Sequence, residues 1–105
     1  PLGLSFRFIH CQLDHSSFYR LKLGRTRFAH CKLEEVDFTE ADLNGAVFDQ
    51  CDLLRASFAN TLLEKADFST ALNYSIDPEN NRIQGARFSL PAATGLLDKY
   101  NIEII

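Results

Sequence analysis

Residues 26–48, TRFAHCKLEEVDFTEADLNGAVF, set Phe28, Leu33, Phe38, Leu43 and Phe48 five residues apart, with the two types alternating. The alternation runs without a break from Phe8 to Phe68, with Phe at 8, 18, 28, 38, 48, 58 and 68 and Leu at 13, 23, 33, 43, 53 and 63. Neither regular secondary structure can use a period of five. On an α-helix, five residues turn the chain about 500°, which leaves successive marked residues roughly 140° apart. On a strand, an odd spacing sends them to opposite faces. The pattern works only where the backbone turns a corner every five residues and returns each Phe or Leu to a common axis.

A longer period says how many corners close one coil. Phe8-Ile9-His10-Cys11-Gln12-Leu13 aligns with Phe28-Ala29-His30-Cys31-Lys32-Leu33 and with Phe48-Asp49-Gln50-Cys51-Asp52-Leu53, each twenty residues on. Twenty residues per coil and five per side give a four-sided solenoid. The residue two before each marked position is Cys, Ser, Thr, Ala or Val everywhere from 11 to 71 except Leu21. If both positions point inward, a bulky residue in one leaves room only for a small one in the other, because interiors are close-packed. The remaining three positions of each pentapeptide carry nearly all the charge and face solvent. Phe forms two opposite walls and Leu the other two, with rings stacked at the strand spacing of about 4.8 Å.

These motifs resemble the pentapeptide repeat family, whose unit is a small residue, Asp or Asn, Leu or Phe, then two polar positions. Ala41-Asp42-Leu43-Asn44-Gly45 and Ala66-Asp67-Phe68-Ser69-Thr70 match it well; the resemblance covers residues 4–72 and returns weakly at Gly85-Ala86-Arg87-Phe88. It implies an all-β solenoid, a right-handed quadrilateral β-helix of rod shape. The handedness is the family's, not a product of the periods.

One domain is expected at 105 residues, with repeats over 1–90, an excursion near 74–82 and a C-terminal segment over 91–105. Net charge is −3, and no apolar run approaches a membrane span or a signal peptide. Three inward cysteines one coil apart suit a reducing compartment, so the expected location is cytoplasmic. Pro1 to Ser5 join the register without a polar cap, and Phe6 fills a small-residue slot. That reads as the C-terminal part of a longer protein, since solenoid ends are normally covered.

At the other end, Ile76-Asp77-Pro78-Glu79-Asn80-Asn81 reads as a turn-rich departure, and the register resumes at Ile83 to Phe88. Ser89 as N-cap and Pro91 in the first turn predict a short α-helical cap over 91–99, weakened by Gly95 and ending near Asn101. Leu96, Leu97 and Tyr100 are expected to lie over Phe88, and the apolar tail with Ile102 and Ile104 to pack on the rod or on a second copy. The ending resembles the cap of quinolone-resistance and microcin-immunity pentapeptide proteins, which implies a homodimer formed there.

Catalysis is not expected. Cys11, Cys31 and Cys51 with His10, His15 and His30 suggest a metal cluster, but each Cys faces the core and its neighbouring His faces solvent. Zinc needs about four converging ligands, so no metal and no cofactor is expected. The same divergence disfavours His30 and Cys31 as a nucleophile pair, and Ser16 and Ser17 beside His15 have no third partner.

Charge is the feature left to carry function. Residues 1–32 hold six bases and one acid, whereas residues 33–79 hold eleven acids and two bases. Glu34, Glu35, Asp37, Glu40, Asp42, Asp49 and Asp52 form an acidic band about one coil long, and such a band creates a sizeable local field. The simpler reading is a solvated face that keeps the solenoid soluble. The family resemblance implies a second reading: a DNA mimic whose band occupies the basic saddle of DNA gyrase or another type II topoisomerase. Charge reversal at Asp42, Asp49 and Asp52 is the corresponding test. The alternative is a structural or adaptor scaffold with an unrelated protein partner, favoured by the lack of any inserted loop in residues 4–72.

Overall fold

The computed structural model describes residues 6–105, and the junction of Pro1 to Ser5 with the repeat lies outside them. The chain coils as a tube measuring 45 × 25 × 22 Å. One side is a parallel sheet of five short strands in chain order: β1 (Arg7–Ile9), β2 (Arg27–Ala29), β3 (Val47–Asp49), β4 (Asp67–Phe68) and β5 (Arg87–Phe88). Register is twenty residues throughout, with Phe8 opposite Phe28, Phe28 opposite Phe48 and Phe68 opposite Phe88. The other three sides are held by single parallel bridges: Gln12, Lys32, Asp52 and Leu72 on the second; Ser17, Asp37 and Ser57 on the third; Lys22, Asp42, Leu62 and Arg82 on the fourth. Phe28 and Leu33 therefore stand on different sides.

Corners follow a rule. The second residue after each marked Phe or Leu from Phe8 to Leu63 has positive φ, at eleven non-glycine positions between His10 and Lys65 and at Gly45, and Gly85 after Ile83 repeats it. An L-residue is strained there, yet at most corners the turn closes with a bond such as Ser16 N–H to Leu13 O at 3.1 Å. The following small residue then enters the core: Thr26, Val36, Ala41, Ala46 and Cys51 are wholly buried.

Stacked rings fill the axis. Phe8, Phe28, Phe48, Phe68 and Phe88 form one column with centroids 4.9–5.4 Å apart and planes within 11°. Phe18, Phe38 and Phe58 form the opposite column at 5.4 and 5.2 Å. The columns meet edge to face across the centre, as for Phe38 and Phe48 at 5.7 Å and 79°. Such pairs contribute about 0.5–1.5 kcal/mol beyond burial. Between the columns run the buried leucines 33, 43, 53 and 63. In the first coil Phe8, Leu13 and Phe18 are only half-buried, since no described coil covers them.

The C-terminal end differs from the expectation in several respects. The excursion inserts no residue, for Arg82 still pairs with Leu62 and Arg87 with Asp67. Tyr74, one residue beyond the Leu slot, turns in and is 3% exposed; Ile76 follows at 1%. The Tyr74 ring lies 5.5 Å from Phe68 and 5.6 Å from Phe88, so Tyr74 is the plug. The cap is two 3-10 segments, Ala92–Leu96 and Asp98–Tyr100, in place of one α-helix. Pro91 holds the N-cap position with no side-chain cap bond, and Asn101 ends the second segment in left-handed geometry. The tight winding brings Gly95 O to Ile76 N–H at 3.1 Å. A Cβ on Gly95 would stand 2.1 Å from Tyr74 O, so glycine is required by close approach. Leu96 packs on the core, whereas Leu97 and Tyr100 are 38% and 49% exposed.

Candidate protein-binding surface

The residue before each Phe or Leu faces outward, and Asp there stabilises its own turn. Asp37, Asp42, Asp52 and Asp67 each accept, through Oδ1, the backbone N–H two residues on, at 2.9–3.1 Å, and Asp77, before Pro78, does the same at 2.9 Å. Short polar side chains favour such turns. Burial raises the Asp67 carboxyl, but hydrogen bonds from Ser69 and the charges of Arg87 and Arg27 outweigh it and hold it below the usual range. Three band members, Asp37, Asp42 and Asp52, thus have a structural task.

The other four are paired. Glu34 and Glu35 share Arg55 at 2.8 and 3.2 Å, and Glu35 also meets His15 Nδ1 at 2.8 Å. Glu40 accepts from Arg20 and from the Tyr19 hydroxyl, each at 3.3 Å. Asp49 accepts from Arg27 at 2.8 Å and from Thr70 at 3.0 Å. Most of these pairs join residues about one coil apart, which the register makes neighbours.

The seven carboxylates do not share a patch. Asp49 is on the first side; Glu34, Glu35 and Asp52 are on the second; Asp37 and Glu40 on the third; Asp42 on the fourth. Coiling sorts charge across the tube as well as along it. Assigned by register over residues 6–90, the second and third sides carry eight carboxylates and three bases, while the fourth and first carry seven bases and four carboxylates; the cap adds Lys99, against Asp77 and Glu79, and Asp98. Asp14, Asp77 and Glu79 belong to the acid-rich edge, a grouping the linear band does not contain.

At the cap, Lys99 bonds Asp77 Oδ1 at 3.1 Å and also Glu79, while Tyr100 donates to Glu79 at 2.9 Å. Glu79 and Asp77 hold the Lys99 ammonium above its ordinary range. The Glu79 N–H and then Lys99 hold Asp77 low; Lys99 and then Tyr100 do the same for Glu79. Tyr100, read from sequence as a lid, is half of a clip. Ile102 and Ile104 are 58% and 52% exposed and, with Leu97, border an open groove of about 440 Å³.

The thiols are inward, as expected from the register. Cys31 and Cys51 are buried, and Cys11 is half-buried at the first coil. Cys51 Sγ donates to Phe28 O at 3.3 Å and Cys31 Sγ to Phe8 O at 3.1 Å. Burial pushes the Cys51 thiol up to about 12 and raises Cys31 as well. A thiol so protonated is a weak nucleophile and a poor ligand. No group of three His, Cys, Asp or Glu side chains is gathered as for a metal among the described residues. No helix among them is long and apolar enough to cross a membrane.

A model of the pentapeptide repeat region matches residues 5–88. The chain belongs to the pentapeptide repeat family. No curated protein matches it in sequence. Solved structures similar to it include a trypsin-treated variant of QnrB1, a plasmid-mediated fluoroquinolone resistance protein, at 17% identity and TM-score 0.29, covering 94% of this chain and 82% of that one. Another is Rfr23, a pentapeptide repeat protein of the cyanobacterium Cyanothece 51142, at 18% and 0.32, covering 80% and 60%. A third is a pentapeptide repeat protein of the Arabidopsis thaliana thylakoid lumen, at 21% and 0.32, covering 72% and 60%.

Proposed function

We propose that this pentapeptide repeat chain is a non-catalytic binding scaffold. Its partner is DNA gyrase or another type II topoisomerase, whose basic DNA-binding saddle receives the acid-rich edge. The observation that carries the reading is a rigid rod 22–25 Å across with eight carboxylates on two adjacent sides. A rod of nearly duplex width with one negative edge suits a saddle built for duplex phosphates, and opposite potentials speed such encounters. Glu34 and Glu40 project from that edge, and Glu35, Asp37 and Asp52 lie beside them. Asp42 and Asp49 fall on the other two sides and take no part. Two copies join through the exposed Leu97, Ile102 and Ile104 of the cap, with Tyr100 at the rim. The working compartment is the cytoplasm, in keeping with free thiols.

Binding to gyrase by surface plasmon resonance at two salt concentrations, with supercoiling measured beside a quinolone, tests the reading. Glu34→Lys with Glu40→Lys is the better variant, because reversal at Asp42 or Asp52 also disturbs a turn. Affinity is expected to fall by ~100-fold and protection to vanish, in line with loss of charge complementarity. Binding equal to the parent's would remove the edge as the site.

A specific observation favours the second reading, an adaptor for an unrelated protein: side follows side from 6 to 72 with no projecting loop. On that reading gyrase does not bind at any salt concentration.

A further inference from the structure

We propose that the tube associates side by side with further copies of itself, the base-rich edge of one against the acid-rich edge of the next. The proposal does not depend on a topoisomerase partner. Among the described residues, seven bases have no ion-pair partner within 4.0 Å, and six of them stand on the fourth and first sides: Arg7, Lys22, Arg25, Lys65, Arg82 and Arg87. All six are exposed. The opposite edge carries the carboxylate excess. Each molecule thus presents two complementary strips, parallel to its axis and on opposite sides.

The corner between the fourth and first sides is shaped for close approach. It runs Arg25, Gly45, Lys65, Gly85, one residue per coil. The Arg25 stem lies over Gly45, its Cγ 3.4 Å from where a Cβ would be, and the Lys65 stem lies over Gly85 at 3.2 Å. Both long side chains therefore lie along the tube and present their charges on a nearly flat edge.

A second copy fits this edge better than a polyanion does. Asp42, Asp49, Glu64 and Asp67 interrupt the bases in the middle coils, where a continuous phosphate chain would meet them. A protein edge with discrete charge clusters can avoid them, and a net charge of only −3 adds little repulsion between copies. The two strips are different surfaces, so the contact is heterologous and does not close at two. A dimer through the apolar cap, in contrast, stops at two and is indifferent to salt.

Sedimentation equilibrium of the full chain at ~10 mM and ~300 mM salt, where the screening length falls from about 30 Å to well under 10 Å, separates these cases. At low salt the average mass should grow with concentration past two copies, and at high salt it should cease to grow. Arg25→Gln, Lys65→Gln and Arg82→Gln together should weaken the low-salt association by ~10-fold or more, each exposed pair being individually weak. Circular dichroism checks that this variant keeps its fold. A mass that levels off at one or two copies at low salt overturns the proposal, as does a folded variant that associates like the parent. A short duplex DNA added at ~10 mM salt that binds this edge and disperses the copies would assign it to a polyanion instead and also overturn it.

Discussion

Replacing Gly95 with alanine should unseat the cap. The new Cβ would lie 2.1 Å from Tyr74 O, 3.1 Å from Tyr74 C and 3.3 Å from the Tyr74 ring. The first two are backbone atoms, so no side-chain rotation relieves the clash. Either the 3-10 segment lifts, losing the bond from Ile76 N–H to Gly95 O, or Tyr74 leaves the end of the Phe column. Overpacking of this kind costs about 1–3 kcal/mol. For a domain of this size that is a fall in melting temperature of roughly 5–20 °C. Gly45→Ala is the control: its φ is +72°, but the nearest atom to the new Cβ is Arg25 Cγ at 3.4 Å. Eleven non-glycine corners already accept such a φ, so this change should cost no more than about 1 kcal/mol. Thermal unfolding by circular dichroism, with chymotrypsin cleavage at Tyr74 as a local readout, compares the two. Equal stability of Gly95→Ala and the parent, with Tyr74 still protected, would refute the close-approach argument.

Phe48→Ala removes a wholly buried ring that stacks on Phe28 and Phe68 and meets Phe38 and Phe58 edge to face; urea unfolding should register a loss of about 3–5 kcal/mol. In the native protein at pH 8, iodoacetamide should modify Cys11 first and leave Cys31 and Cys51 intact by mass spectrometry, since burial raises the thiol of both. The Lys99 clip should have a pH window. Asp77 and Glu79 are held low, so their contribution is complete above about pH 5 and fades as pH falls through their folded values; Lys99 is held high, so its part persists to about pH 10 and fades above. Hydrogen exchange at Gly95 and Leu96, corrected for intrinsic rates, should show protection that is steady at neutral pH and fades as the two carboxylates take up protons in acid, and Lys99→Met should flatten that dependence.

The four-sided tube is legible in the chain because one local rule repeats thirteen times. A five-residue spacing of bulky apolar side chains, each preceded by a small one, leaves the backbone a single way to bury both. Pairs such as His15 with Glu35 and Arg20 with Glu40 follow from the same arithmetic, being twenty residues apart. The acidic band is contiguous in sequence but not in space, for a related reason. Its members are close in sequence, and a chain that turns a corner every five residues scatters near neighbours over all four sides. The cap carried no repeat to read. Tyr74 fills the core from one position beyond the Leu slot because left-handed Asn73 shifts the chain before it re-enters. Gly95, which on propensity alone weakens a helix, is the residue that lets the cap reach Tyr74.

Sequence alone thus determined the architecture, the inward residues and the inert place of the thiols, since periodic burial is a local constraint repeated along the chain. Only the tertiary structure decided how the end is closed and which charges share an edge. Both depend on contacts between segments whose spacing departs from the repeat, or on the sum over coils of side chains that the repeat leaves free to vary.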